Sequence, residues 1–398
     1  MITVEEALRA VLAQVPELQP EEVRLEDAAA AYVATDVAAP YDHPLFDMSA
    51  VDGYAFRFDP SVTRWRVIDH APAGSARTEE CPPGCCLRIF TGAMLPPGTD
   101  TVVMQEFITR DGEHVVHSDA KLVQGANVRR RAEQVKKGEV ILQRGALLSP
   151  SAIGLLASVG VRAVPIKRVP EVAVLVTGDE FVEGDRVEPG KIFSSNGLML
   201  EAALRAEGVL SECAHVPDEV QALDVAIEQA TLFNEVVIST GGASVGDHDL
   251  VHDAVLRAGG TIHFHGVAQK PGKPMLFATV RGRPFFGLPG NPRAVLVLFY
   301  LYVLPFLRAM RGARRPGLRK EMLPIAADLS LRGDRAEFRA GRVRGGTVEL
   351  LTDEGSHMLR SMTEAEVIVH LPAAKRIWRV GDQVEVHYLP YAFNEYLP

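Results

Sequence analysis

Cysteine is scarce: Cys81, Cys85, Cys86 and Cys213 are the only four in 398 residues. So few thiols in so long a chain exclude a disulfide scaffold and fit a reducing compartment. Nor do Cys81 and the Cys85-Cys86 pair have the second ligand pair that a zinc site of this type needs. The N-terminus, Met1-Ile2-Thr3-Val4-Glu5-Glu6, carries no basic region and no long apolar segment. No secretory leader is expected, and a cytoplasmic location is. The longest apolar run, Ala294 to Leu307, has 14 residues and contains Pro305. A membrane span needs about 20, so this run reads as a buried helix and no membrane partner is expected. An excess of positive charge is absent as well: 42 Lys and Arg against 51 Asp and Glu leave a net charge of −9. That excludes a general nucleic-acid surface, although a local cationic pocket remains open to it. There is no internal repeat and no low-complexity tract.

What is present is the mix of an ordinary globular protein, 47% hydrophobic and 23% charged. The length is enough for about two to four domains. Near the N-terminus, Thr3 and Glu6 form a Thr-x-x-Glu capping box. Val4, Ala7, Leu8, Val11 and Leu12 follow at helical spacing, and Pro16 and Pro20 end the helix. From about 45 to 145 short β-like runs alternate with turns: Trp65 to Ile68, Cys86 to Phe90, Thr101 to Met104, His114 to His117 and Glu139 to Leu142. This reads as a β-rich inserted domain.

From 171 to about 310 the pattern is α/β. The apolar strands Val172–Val176, Val236–Ser239 and Pro284–Leu288 each run into a loop, and a helix at Leu198–Ala206 closes on Gly208. Short strands alternating with helices predict a parallel sheet. His263 and His265 flank Phe264 at strand period and read as structural. The stretch from Arg308 to Arg344 is the most basic in the chain and reads as a solvated linker and domain face. Beyond it the chain looks all-β. Val343-Arg344-Gly345-Gly346-Thr347-Val348 has the form of a tight hairpin, and Val384–Tyr388 alternates like a strand.

Ligands of an open parallel sheet bind beyond the carboxyl ends of its strands. Three such ends carry unusual loops. Thr177-Gly178-Asp179-Glu180 offers two carboxylates, either helix caps or oxygen ligands for Mg²⁺. The loop from Thr240 to Asp249 holds Gly241, Gly242, Ser244 and Gly246, whose backbone amides can face a phosphate. It also brings Asp247 and Asp249, and it is no Walker loop, because no Gly-Lys-Ser/Thr follows. Lys270-Pro271-Gly272-Lys273-Pro274 holds two ammonium groups on a stiff turn, which can meet an oxyanion at low ordering cost. Gly287-Leu288-Pro289-Gly290-Asn291-Pro292 starts a helix.

Taken in order with Ser49-Ala50-Val51-Asp52-Gly53-Tyr54-Ala55, Ile89-Phe90-Thr91-Gly92-Ala93 and Ser195-Asn196, these motifs resemble the molybdopterin molybdenumtransferase family. Its eukaryotic counterpart is a domain of gephyrin. The resemblance runs through nearly the whole chain. It implies an α/β multidomain fold: a central parallel-sheet molybdopterin-binding domain, an inserted β-rich domain and a C-terminal β-barrel-like domain. The boundaries expected are 1–44 with 146–170 for a helical linking domain, part of 1–25 being free to pack on the α/β domain instead, 45–145, 171–318 and 319–398. The activity implied is transfer of molybdenum from molybdate to adenylylated molybdopterin, with release of AMP and help from Mg²⁺. The implied assembly is an elongated homodimer, with the cleft between the α/β domain of one subunit and the β-rich domain of the other. The adenylyltransferase that makes the substrate and molybdoenzyme acceptors are the implied protein partners.

Residue by residue, the resemblance assigns Asp52, Thr91, Glu180, Asp218 and Asp249 to catalysis. Glu180, Asp218 and Asp249 are the candidates for Mg²⁺. Gly241, Gly242, Ser244, Gly246, Lys270, Lys273, Pro289, Pro292 and Ser356 are the candidates for substrate. The chain departs from the family pattern at Val51, where Met is usual, at Ala132 and Gln134, where Gly and Asp are usual, and at Ala365-Glu366, where Ala-Asn is usual. Two other readings compete. An adenylyltransferase shares the Gly-Gly-x-Ser-x-Gly loop but needs neither Asp52 nor the flanking β domains. A non-catalytic cofactor-binding scaffold would have no use for an intact acidic set.

Overall fold

The computed structural model describes residues 1–182, 189–242, 250–352 and 355–391. It divides into two compact units, Glu22–Pro165 on one hand and Met1–Glu21 with Ile166–Pro398 on the other.

The unit Glu22–Pro165 is built on six strands: β1 (Gly53–Phe56), β2 (Arg64–Ala71), β3 (Cys85–Ile89), β4 (Thr101–Met104), β5 (Ile108–Asp111) and β6 (His114–His117). Their order across the sheet is β4-β1-β3-β2-β6-β5. Strand alternation sends successive residues to opposite faces. Tyr54 and Phe56 pack with Trp65, Cys86, Val103 and Val115 on one face, while Ala55 packs with Ile89, Ala93, Leu95 and Val102 on the other. Phe56 and Trp65 stack with ring centroids 4.1 Å apart. The Cys81 thiol donates to the Cys85 carbonyl, and burial pushes its pKa up to about 11. It is a packed hydrophobe here, not a nucleophile.

The second unit opens with helix α1 (Val4–Leu12), whose Thr3 and Glu6 form the expected capping box. Its core is a six-stranded sheet of β7 (Val172–Thr177), β8 (Ser211–Val216), β9 (Val236–Thr240), β10 (Thr261–His265), β11 (Leu276–Val280) and β12 (Arg283–Leu288), in the order β8-β7-β9-β12-β11-β10. The pairings β7–β8, β7–β9 and β9–β12 are parallel, as the alternation with helices predicts. The pairings β11–β12 and β10–β11 are antiparallel, so a hairpin extends the parallel part at one edge. The short connection Arg281-Gly282 allows only an antiparallel return, since a parallel one needs a crossover of a dozen residues or more. On β10, His263 meets the Thr279 hydroxyl at 2.7 Å, and His265 stacks on His252.

Helices α2 (Asn196–Ala206), α3 (Val220–Phe233) and α4 (Leu250–Arg257) flank the sheet. The apolar run forms helix α5, Pro292–Met310, 89% of whose most apolar window is buried. Among the described residues it alone is long and apolar enough to cross a membrane. Here it is core: Val295, Leu298, Phe299, Phe306 and Met310 pack with residues of α1, the central sheet and the C-terminal sheet.

The C-terminal sheet holds β13 (Lys320–Pro324), β14 (Ala336–Arg344), β15 (Thr347–Leu350), β16 (Val367–Leu371) and β17 (Gln383–Tyr388). The order is β14-β16-β17-β13, with β15 paired to β14. Gly345 and Gly346 both have positive φ, 55° and 78°. That is the backbone a two-residue hairpin turn demands, and it explains the Gly-Gly in the sequence. The two-residue strand Gln269–Lys270 adds in parallel to the other edge of β14.

The basic segment is less solvated than the sequence suggests. Arg308 forks onto Glu207, Arg311 is 5% exposed and donates to the Glu207 carbonyl, and Arg339 is 9% exposed and pairs with Glu337. Arg342 and Arg344 pair with Glu364 and Glu366. Glu207 is 101 residues from Arg308, and Glu364 and Glu366 are each 22 residues from their arginines, so charge density along the sequence does not reveal these pairs.

Candidate active site

In the central sheet, β7 has β8 on one side and β9 on the other. The chain therefore reverses direction across the sheet at the β7–β9 pair, where a doubly wound fold opens its ligand crevice. At the carboxyl ends of β7, β8, β9 and β12, Thr177 pairs with Val216, Val176 with Thr240, and Thr240 with Leu288. The loops that leave them hold most of the expected residues.

Asn196, at the start of α2 and 5% exposed, ties two of these ends together. Its Nδ2 donates to Thr240 Oγ1 and to the Gly290 carbonyl, each at 2.8 Å. Thr240 Oγ1 in turn donates to the Pro289 carbonyl at 3.2 Å. Gly241 has φ +94°, and a Cβ there would stand 2.3 Å from the Thr177 carbonyl oxygen. Only glycine lets the β9 loop lie this close to the end of β7. Pro292 begins α5, and the next residue, Arg293, donates its backbone N–H to the Ser356 carbonyl at 3.1 Å. Ser356 thus sits at the first turn of that helix.

Three carboxylates gather beside the β7 and β8 ends. Asp179 Oδ1 accepts the Asp218 backbone N–H at 3.1 Å, and His215 on β8 meets the Gly178 carbonyl at 2.7 Å. The pKa of Asp218 is raised, chiefly by burial and then by the charges of Asp179 and Glu180. Its Oδ1 is buried with no hydrogen-bond partner. Thr177 Oγ1 and Asn196 Oδ1 are buried and unpartnered too. Buried polar atoms are nearly always satisfied, so orphans gathered at one crevice mark a place for a polar ligand. Crowded carboxylates with an orphaned oxygen suit a hard divalent cation.

In the other unit, Asp52 Oδ1 accepts both the backbone N–H and the hydroxyl of Thr91, at 2.8 and 2.7 Å. Those two hydrogen bonds, with the nearby Arg88 charge, hold the Asp52 carboxyl below its ordinary pKa. Arg88 donates to the Gly53 carbonyl at 2.8 Å and to Gln105, and lies over the Tyr54 and Phe90 rings.

The structure therefore groups Glu180 with Asp218, and Gly241 and Gly242 with Pro289 and Pro292. Ser244, Gly246 and Asp249 lie outside the described residues. Lys270 and Lys273 stand on the segment that leaves the central sheet for the C-terminal one, with Lys270 opposite Glu337. Neither ammonium makes a hydrogen bond or ion pair with a described residue. Asp179, the other carboxylate of the Thr177–Glu180 loop, joins the site, and so does Asn196, to which the sequence assigns no role. Only the loop geometry shows that these neighbours face the crevice.

The comparisons follow this geometry. Residues 2–160 match the MoeA N-terminal region (domain I and II), 173–309 a probable molybdopterin binding domain, and 323–389 the MoeA C-terminal region (domain IV). A molybdopterin molybdenumtransferase from Haemophilus influenzae is 34% identical, over 97% of this chain and 98% of that protein. The chain belongs to the molybdopterin molybdenumtransferase family. A second member, from Bacillus subtilis, is 31% identical over 97% of this chain and 93% of its own. The crystal structure of a molybdopterin biosynthesis MoeA protein from Pyrococcus horikoshii OT3 aligns over 98% of this chain and 100% of its own, with TM-score 0.83 and 28% identity. The α/β multidomain architecture expected from the motifs is that of this family.

Proposed function

We propose that this chain is the transferase that inserts molybdenum from molybdate into adenylylated molybdopterin and releases AMP. Membership of the family supports the reaction. The observation that carries it to these residues is the crevice at the β7–β9 switch, with its orphaned Asp218, Thr177 and Asn196 oxygens. Molybdate and the nucleotide phosphates are anions. Lys270 and Lys273 would draw them in, and the backbone amide of Gly242 would orient them. Asp52, kept ionised by Thr91, is suited to accept a proton or position water. Glu180 and Asp218, with Asp179, would hold Mg²⁺. The ion would supply charge neutralisation at the phosphates.

A homodimer, a cytoplasmic site of action, and handover partners among cofactor-making and molybdenum-using enzymes belong to the same proposal. So does the division into domains 1–44 with 146–170, 45–145, 171–318 and 319–398, with Met1–Glu21 packed in the unit of the α/β domain. The test mixes purified protein with adenylylated molybdopterin, molybdate and Mg²⁺, and follows AMP and finished cofactor. Stoichiometric formation of both is expected. No AMP and no cofactor would overturn the reading, and ATP-dependent adenylylation of metal-free molybdopterin would replace it with the adenylyltransferase.

A further inference from the structure

The C-terminal sheet carries a second constellation, which the proposed reaction does not use. One face of the sheet is the apolar core of Leu323, Val367, Val369, Val384 and Val386. On the other face, the register sets His370 of β16 directly opposite Glu385 of β17, and Lys320 of β13 opposite His387 of β17. Glu385 and His387 are two apart on one strand and share that face. His387 Nε2 donates to Glu385 Oε1 at 2.7 Å, and His370 Nδ1 lies 3.5 Å from the same oxygen. One nitrogen from each ring and the carboxylate oxygen all lie within 4.8 Å of one another.

The rings are held in place. His370 stacks on Phe338 at 4.7 Å and 9°, and His387 meets the same ring edge-on. His387 is 6% exposed. All three residues line a cavity of about 380 Å³ that Lys320, Tyr302 and Trp378 also line.

We propose that His370, Glu385 and His387 form a binding site for a divalent transition-metal ion of the Zn²⁺ class. Two imidazoles and one carboxylate are a recognised zinc donor set that leaves a fourth position open. Ligand atoms of a tetrahedral zinc ion stand about 3.3 Å apart, given bonds of about 2.0–2.1 Å. The two distances to Glu385 already bracket that value. The third, between the two ring nitrogens, lies within 4.8 Å and closes toward that value when the ion binds. A hard cation such as Mg²⁺ prefers all-oxygen ligands and is not favoured here.

Binding exchanges one cation for another. The Lys320 ammonium, 3.1 Å from Glu385 Oε1, sits on a half-exposed side chain and can leave to solvent. The ring proton that His387 now donates to Glu385 departs to water or moves to the other ring nitrogen. The ion then takes the lone pair it leaves.

The test uses the full chain carrying Cys213→Ser, which removes the exposed thiol. After chelator treatment it is dialysed against micromolar Zn²⁺ and its metal content measured. Co²⁺ is titrated in parallel and followed by the visible absorption of a tetrahedral site. One ion per chain is expected. His370→Gln and Glu385→Gln are expected to weaken Zn²⁺ binding at least about tenfold. Lys320→Met, which removes the competing ammonium, is expected to tighten it. Circular dichroism verifies that each variant is folded. A Cys213→Ser chain that retains no ion, or folded Gln variants that bind as tightly as that parent, overturns the proposal.

Discussion

Thr91 gives both its backbone N–H and its hydroxyl to one carboxylate oxygen of Asp52, at 2.8 and 2.7 Å. Two donors on one oxygen favour the ionised form and lower the pKa of Asp52. The charge is therefore in place at neutral pH and is lost only as pH falls through that lowered value. In Thr91→Val one donor goes. The acid limb of the kcat/KM profile is expected to move to higher pH, with the circular dichroism spectrum unchanged because Thr91 is exposed. Asp52→Ala is expected to cost about 100-fold or more in turnover. An unmoved acid limb in Thr91→Val would show that Asp52 is not the group being read.

Asp218 runs the other way. Burial and the neighbouring Asp179 and Glu180 raise its pKa. The native state then holds its proton more tightly than the unfolded chain does, so the contribution of Asp218 to stability is full at low pH and is lost as pH rises through the raised pKa. At neutral pH the ionised carboxylate is a strain on the fold. Asp218→Asn is expected to raise Tm at pH 7 by about 1–3 °C, with a smaller gain at pH 4. It is expected to lose Mg²⁺-dependent turnover. Scanning calorimetry at both pH values, with and without Mg²⁺, reads the trade. Added Mg²⁺ should stabilise the wild type more than the variant.

Asn196 links Thr240 to Gly290 across two strand ends. Asn196→Ala leaves a buried hydroxyl and a carbonyl without their donor. A loss of about 1–3 kcal/mol in urea unfolding is expected, together with a raised KM as the loops part. Full stability in this variant would mean that the bridge does not hold the crevice.

Gly241 and Gly290 face each other, with the Cβ position of Gly290 3.7 Å from Gly241 Cα. Gly241→Ala meets both a positive φ and the Thr177 carbonyl, and is expected to cost about 2–4 kcal/mol. Gly290→Ala has ordinary van der Waals room and is expected to fold normally. Paired urea melts check the contrast.

Local pattern made much of this molecule readable. The Thr101–Met104 and His114–His117 strands, the capping box at Thr3 and the Gly345-Gly346 turn each follow from a few adjacent residues. So does the string of loops at the ends of β7, β9 and β12. What escaped was non-local. Arg308 meets Glu207 through a fold that closes a hundred-residue separation. The antiparallel edge of the central sheet depends on pairing that periodicity does not encode. Asp179 and Asn196 were in view as letters, but which side chain turns inward is settled by loop geometry. His370 and Glu385 become neighbours only through strand register.

The first helix belongs to a body whose remainder starts at Ile166. Ile2 bonds to both Gly266 and Ala268, and Ala7 and Val11 are buried among α5 and the sheet. During synthesis, then, α1 emerges before the elements it packs against and is among the last to find its place. The chain must make an entire intervening unit, then the sheet and the apolar helix, before α1 has anything to pack against. Translation order and assembly order run in opposite directions here. The apolar face of α1, with Ala7 and Val11, is uncovered in the interval, and α5 is one of the elements that cover it.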